Sequence, residues 1–253
     1  MYAVDRRRRL KWHDHGKSLI NAVARRLGTR VVNVNWGPRG MRDTLQRAKA
    51  RGFSPELIFD IGASNGIWTR ECRSIYGEAR YVLVDPLEGN RDALLAMASS
   101  DKRITAWCGA TGAQAGTLEL YEHGDQSSFL YSEDFPGARR TVEVTTADFI
   151  WESQKCVAPV LLKADVQGYE LEVLRGATRC LEATEMLILE VSFRRLYKEG
   201  ALAHEIIAYV AERGFRIYDL CSYVQRASDL DLIQSDLVFV KESSSLFGYQ
   251  GWK

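Results

Sequence analysis

The chain has 253 residues, of which 46% are hydrophobic and 26% charged, and its formal net charge is +1. That length fits one α/β domain, and the balance of apolar to charged residues excludes both disorder and a generally basic nucleic-acid surface. No stretch reaches the ~18 apolar residues of a membrane span and no apolar segment follows the charged N-terminus, so a cytoplasmic protein without membrane attachment is expected. Five scattered cysteines, Cys72, Cys108, Cys156, Cys180 and Cys221, suit neither a disulfide framework nor a zinc knuckle. His13 and His15 have no third ligand near them in sequence, and no bound metal is expected.

In chain order, the first feature is the basic run "RRRRLK" at Arg6–Lys11, read as a solvated helix end with phosphate or an acidic partner as the alternative. Short helices are predicted over roughly 16–30 and 38–51, the second amphipathic through Met41, Leu45 and Ala48 and stopped by Gly52. Together they make a helical extension over residues 1–52, a lid or a homo-oligomer contact, ahead of a main domain at 53–253. From Leu57 the pattern becomes apolar runs of strand length, each followed by a turn and a helical period, the mark of βαβ units on a parallel sheet. The strands are "LIFDIG", "RYVLVD", "ITAWCGA", "PVLLKADV" and "EMLILEVSF". Helices fall near 66–77, 88–99, 169–181 and 202–213. Gly116 to Ile150 alternates with period two and reads as an antiparallel excursion, while "FRIYDL" and "SDLVFVKE" have no helix between them and form a closing antiparallel hairpin.

Chemistry is expected at the carboxyl ends of these strands. The first ends at Asp60 and turns through Gly62, Ala63, Ser64, Asn65 and Gly66, where glycines let a ligand approach the backbone and the following helix offers unpaired N–H donors. Ser64 stands where a dinucleotide loop has its middle glycine, which favours a looser nucleoside pocket. The second strand ends at Asp85 and Pro86; a carboxylate there either grips both ribose hydroxyls or caps the next helix. The third ends in Cys108, Gly109 and Ala110, small residues that leave room for a flat base.

The blocks "FDIGASNGIWT", "YVLVDP", "LLKADVQGYELEVLRGA", "LILEVSF" with "LYKEG" after it, and "SDLVFV" together resemble the FkbM-type S-adenosylmethionine-dependent methyltransferases, from about Gly40 to Phe247. The resemblance implies a Rossmann-like seven-stranded sheet with a reversed terminal hairpin. It also implies S-adenosylmethionine across the carboxyl edge and methylation of a hydroxyl on a natural product or sugar. Carried over by residue, Asp60 and Gly62–Gly66 line the methionine and ribose, Asp85 takes the ribose hydroxyls, and Asp165 stands beside the reactive methyl. The family commonly has Glu where this chain has Gln167.

The residues themselves support a site on the fourth strand. Lys163 and Asp165 are two apart and share one face, with Asp165 at the carboxyl end where open α/β sheets bind ligands. Buried together they need each other; the alternative is a helix-capping Asp165 and a snorkelling Lys163. Glu170 is explained by the helix start alone. Glu190 repeats the pattern on the fifth strand, and Asp165 or Glu190 is expected to serve as general base toward a hydroxylated small-molecule acceptor, a divalent metal that lowers the hydroxyl's pKa being the less favoured alternative. His123, beside "DQSSF" in the excursion, is the histidine candidate for that role, and Trp68, Phe129, Tyr131, Phe193 and Tyr197 are the aromatics that suit an acceptor pocket. Two other functions fit the pattern less well: a nicotinamide-dependent oxidoreductase on a Rossmann sheet, and a non-catalytic or nucleic-acid-binding module of the same fold.

Overall fold

The computed structural model describes residues 40–155 and 158–248. The basic run, His13, His15, the helix expected over 16–30 and Cys156 lie outside the described residues. The chain divides into Met1–Pro38 and Arg39–Lys253, and all described residues belong to the second unit.

Strands β1 (Leu57–Ile61), β2 (Arg80–Val84) and β3 (Ile104–Trp107) alternate with helices α1 (Met41–Ala50), α2 (Ile67–Arg73) and α3 (Glu88–Ser100). A short β4 (Ala110–Thr111) is followed by β5 (Gly116–Glu122), β6 (Ala138–Thr145) and α4 (Ala147–Ser153). Next come β7 (Val160–Ala164), α5 (Glu170–Arg175), α6 (Thr178–Ala183) and β8 (Thr184–Ser192), then α7 (Ala203–Ala211), β9 (Phe215–Leu220), β10 (Val224–Gln225) and β11 (Leu232–Lys241). The main sheet runs β10-β11-β8-β7-β1-β2-β3, with β9 also paired to β11. β1, β2, β3, β7 and β8 are parallel, and β11 runs against both β8 and β9. This is the expected α/β Rossmann-like sheet with its reversed end, extended by the two-residue edge strand β10. The excursion is a separate three-stranded sheet, β4-β6-β5.

The main strands are apolar almost throughout because both faces of the sheet are covered, and alternate side chains go to opposite faces. Leu57, Phe59, Ile61, Leu162, Leu187 and Leu189 pack with α4 to α7. Ile58, Leu83, Leu161, Ile188 and Val238 pack with α1, α2 and α3 on the other side. α1 therefore belongs to the sheet's own body and is not part of a separate lid: Leu45 and Ala48 are buried in that second core, the Tyr76 hydroxyl donates to the Leu45 carbonyl, and Arg47 pairs with Asp219 on β9. The sequence boundary at residue 52 thus falls after a helix that the main domain needs.

The helix expected over 169–181 is two helices. At Gly176 an added Cβ would stand 2.0 Å from the Gly112 carbonyl oxygen, so the backbone of the second sheet approaches too closely for any side chain. The chain restarts as α6 because Asp148, reaching from α4, accepts the Cys180 and Arg179 N–H groups and the Thr178 hydroxyl. A cap supplied from another element is invisible to local pattern.

Candidate active site

A cavity of about 390 Å³ lies along the carboxyl edge of the main sheet, within the size range of small-molecule sites. One end is lined by the loop after β1 (Gly62, Ala63, Ser64, Asn65), by Asp85, Pro86 and Leu87 after β2, and by Ala110 and Thr111. The other is lined by Trp68, Lys163, Asp165, Gln167 and Asp236, and Asp125, Gln126 and Phe129 of the loop between β5 and β6 also line the cavity, Asp125 with its carboxylate 3.4 Å from the Ser64 hydroxyl.

Position 62 admits only glycine. Its φ is +76°, and a Cβ there would lie 1.8 Å from the Asp165 carbonyl oxygen, so β1 and β7 can meet at the cavity floor only without a side chain. The Gly62 and Ala63 N–H groups donate to the Val84 carbonyl, Ser64 N–H donates to Asp85 Oδ2 at 2.8 Å, and Gly66 N–H donates to the Ala63 carbonyl. Most of the loop's amides are thus spent internally. The loop itself offers close approach to a ligand rather than free amides. Asp85 also accepts from Leu87 N–H at 2.9 Å and Asn90 Nδ2 at 3.0 Å. It is the hub that fixes both loops, while its carboxylate still lines the cavity.

Lys163 answers why a core strand carries charge. Asp60 and Lys163 are register partners on adjacent strands, facing the same side of the sheet. The buried ammonium donates to Asp60 Oδ1 at 3.1 Å and to the Gly62 carbonyl at 3.3 Å, stands 3.6 Å from Asp165 Oδ2, and lies over the Trp68 ring. Burial works against the charge, but the Asp60 and Asp165 carboxylates outweigh it and hold Lys163 above the ordinary lysine pKa. Asp60 also accepts the Thr69 hydroxyl at 2.6 Å.

Asp165 has both oxygens engaged, Oδ2 by Lys163 and Oδ1 by Gln167 Nε2 at 3.0 Å. The same Gln167 nitrogen donates to Glu190 Oε2 at 3.2 Å, and Gln234 Nε2 adds a bond to that oxygen at 2.8 Å. The Tyr197 hydroxyl lies 3.0 Å from Gln167 Oε1. The amide thereby sits between two carboxyl groups, which a glutamate at 167 would turn into three. Burial, then the charges of Asp165, Glu170 and Asp236, pushes the Glu190 pKa up to about 9. Glu170 accepts from the Val166 and Gly168 N–H groups and so shapes the β7–α5 turn, its pKa raised by burial to about 7.

The Glu190 shift carries a stability consequence. A carboxyl whose folded pKa is raised keeps its proton in the fold while the unfolded chain ionises, so it costs stability increasingly as pH climbs from about 4.3, the unfolded glutamate value, toward 9. Glu190→Gln keeps an acceptor for both amides and removes that cost. The expected result is a melting-temperature advantage over the wild type that grows between pH 5 and pH 9; a constant difference would show that Glu190 is ionised in the fold.

Five of the residues singled out from sequence stand away from the cavity. Asp60 is buried, bonded to Thr69 and Lys163, and does not line the cavity. Gly66 faces Met97, and Gly109 lies against Trp107 and the Glu143 carbonyl. Glu190 lies behind Gln167, off the cavity surface. His123 is exposed, with Nδ1 3.1 Å from the Pro136 carbonyl oxygen; its backbone, bonded to Ser127, sits in the overhanging loop while its ring points elsewhere. Of the aromatics, Trp68 and Phe129 line the cavity, whereas Tyr131, Phe193 and Tyr197 do not.

Two polar lining residues, Asp236 and Thr111, had no site reading from sequence. Asp236, on β11, is the register partner of Glu190. The buried Thr111 hydroxyl has no hydrogen-bond partner among the described residues, and neither has the buried indole N–H of Trp68. Among the described residues no group of three or more His, Cys, Asp or Glu has an arrangement that could hold a metal ion, and no helix is long and apolar enough to cross a membrane.

The family model of the methyltransferase FkbM domain matches residues 60–217. The hexuronic acid methyltransferase AglP of Haloferax volcanii is 31% identical over 211 residues, which is 78% of this chain and 86% of that protein. Among solved structures, methyltransferase FkbM from Methylobacillus flagellatus KT aligns with a TM-score of 0.48 at 18% identity, over 73% of this chain but only 43% of its own. The magnesium protoporphyrin IX methyltransferase ChlM from Synechocystis PCC 6803 aligns with a TM-score of 0.44 at 13% identity, covering 80% of each chain.

Proposed function

The chain belongs to the methyltransferase FkbM family, and from that premise we propose that this S-adenosylmethionine-dependent methyltransferase methylates an oxygen of a sugar or related hydroxylated small molecule. One observation supports the reading most: a single cavity joins a nucleoside-type loop at one end to a carboxylate-lined chamber at the other. The name of the relative AglP points to the sugar class. Family membership as a methyltransferase sets aside the nicotinamide oxidoreductase.

The lining residues fit the donor. Gly62–Asn65 and Asp85 would hold its methionine and ribose, and Ala110 with Thr111 would line the place of the base. When bound, S-adenosylmethionine supplies a sulfonium methyl that is already activated, so alignment of nucleophile, carbon and sulfur contributes much of the rate. The protein's part is then to orient and to move one proton. Asp165, held by Lys163 and Gln167, presents a fixed carboxylate that orients the acceptor beside the methyl.

Calorimetry and turnover test this. S-adenosylhomocysteine should bind and NADH should not, and labelled methyl should pass from the donor to a hydroxylated sugar. Binding without transfer to any acceptor would favour a non-catalytic module of the same fold. Asp165→Asn should lower turnover by more than it lowers cofactor affinity; the reverse ranking would move Asp165 into the cofactor shell.

A further inference from the structure

Two carboxylates near Lys163 line the cavity, Asp165 just after β7 and Asp236 on β11, and their surroundings differ. Asp165 accepts a hydrogen bond on Oδ1 from Gln167, and its Oδ2 stands 3.6 Å from the Lys163 ammonium as an ion pair. Asp236 has one donor, the Ser222 hydroxyl, which donates to Oδ2 at 2.6 Å; Oδ1 makes no hydrogen bond among the described residues, and the residue lines the cavity. A carboxylate shared between an ammonium and an amide is a poor proton acceptor, whereas one with an unengaged oxygen facing the ligand is a good one.

We infer that Asp236 is the general base of the transfer, taking the proton of an acceptor hydroxyl on Oδ1 while Asp165 positions that hydroxyl. The bookkeeping is complete: the acceptor O–H bond breaks to Asp236, the new O–CH3 bond forms, and the S–CH3 electron pair remains on sulfur, leaving S-adenosylhomocysteine. The product is then an ether. A carboxylate acceptor brings no proton and needs no base, and it would enter a chamber already lined by Asp165 and Asp236 against the one ammonium that lines it among the described residues, Lys163, itself paired with Asp60. On a sugar that carries both groups, the methyl goes to a hydroxyl.

The groups facing Asp236 are Lys163 of β7 and Asp165 directly after it, Glu190 from β8, and Cys221 with Ser222 after β9. Burial, then the Asp165 charge, raises its pKa over the opposing pull of Ser222 and Lys163, which brings the carboxyl closer to the working pH of a base.

This inference rests on the methyltransferase reading, and the test separates the two. Wild type, Asp236→Asn and Asp165→Asn are assayed with methyl α-D-glucopyranoside and D-glucuronic acid. For Asp236→Asn the expected result is a fall in kcat of about 100-fold, unchanged S-adenosylhomocysteine affinity by calorimetry, and loss of the acidic limb of the kcat/KM pH profile, which Asp165→Asn retains. The wild-type product should resist alkali, as an ether does and an ester does not. Independently of turnover, ligand-free protein labelled with ¹³C at aspartate Cγ should show a carboxyl signal, absent in Asp236→Asn, that titrates above the ordinary aspartate range. Wild-type kcat in Asp236→Asn, an alkali-labile product, or a signal titrating in the ordinary range would each overturn the assignment while leaving methyl transfer intact. No transfer by the wild type to either sugar, with S-adenosylhomocysteine still bound, would overturn the methyltransfer reading and this assignment together.

Discussion

Replacing Lys163 with methionine should destabilise the fold by about 3–5 kcal/mol, the range seen when one partner of a buried ion pair is removed. Methionine fills much of the same volume, so the loss is electrostatic: Asp60, fully buried, keeps only the Thr69 hydroxyl, and Asp165 loses the ammonium 3.6 Å away. In the wild type the Lys163 pKa is raised in the fold. Its contribution is therefore fully present below the unfolded lysine value of about 10.4 and is lost only as pH rises through the higher folded value. In Lys163→Met the burdened group becomes Asp60, whose pKa burial raises. The variant's deficit should then shrink as pH falls toward 4, where the unfolded carboxyl also holds its proton. Asp60→Asn added to Lys163→Met should recover much of the loss. Chemical denaturation at pH 4.5 and 7.5 measures all of this. A deficit under ~1 kcal/mol that ignores pH would mean that Asp60 is already neutral in the native protein.

Asp85→Ala should weaken S-adenosylhomocysteine binding by tenfold or more, about 1.4 kcal/mol. Two losses combine. The carboxylate in the cavity wall is removed as a charge-assisted acceptor, the kind of bond worth about 1.5–3 kcal/mol. The loops it holds are released as well: Ser64 N–H, Leu87 N–H and the Asn90 amide all lose their acceptor. Ser64 is held at a φ of +47°, a left-handed conformation that a non-glycine residue keeps only under constraint. Asp85→Asn keeps the shape and part of the bonding and should fall between the two. Calorimetry with the purified variants decides it, and unchanged affinity in both would place the ribose elsewhere.

The parallel sheet was legible because β1, β2, β7 and β8 are apolar on both faces, a pattern that survives in one dimension. Gly62 and Asp85 were legible for the same reason, since a strand's carboxyl end and the turn after it are adjacent in sequence. The broken helix at Gly176 was not, because its causes are a carbonyl of Gly112 and a cap from Asp148, both far away along the chain. His123 illustrates the opposite failure. Its loop does overhang the cavity, but which way a loop side chain turns depends on contacts such as Phe135 and the Pro136 carbonyl.

By itself the sequence determined a doubly covered sheet, the loop between Gly62 and Gly66, and the placement of Lys163 and Asp165 on one face of one strand, since a period of two puts residues i and i+2 on the same side whatever the strand meets. Only the tertiary structure decided what those charges do. Strand register sets Asp60 against Lys163 and Asp236 against Glu190, and the antiparallel β11 carries Asp236 back to the carboxyl edge from a point 71 residues beyond Asp165. Pairing partners and strand direction are set by the packing of whole elements, so the division of labour among these carboxylates had no one-dimensional signature.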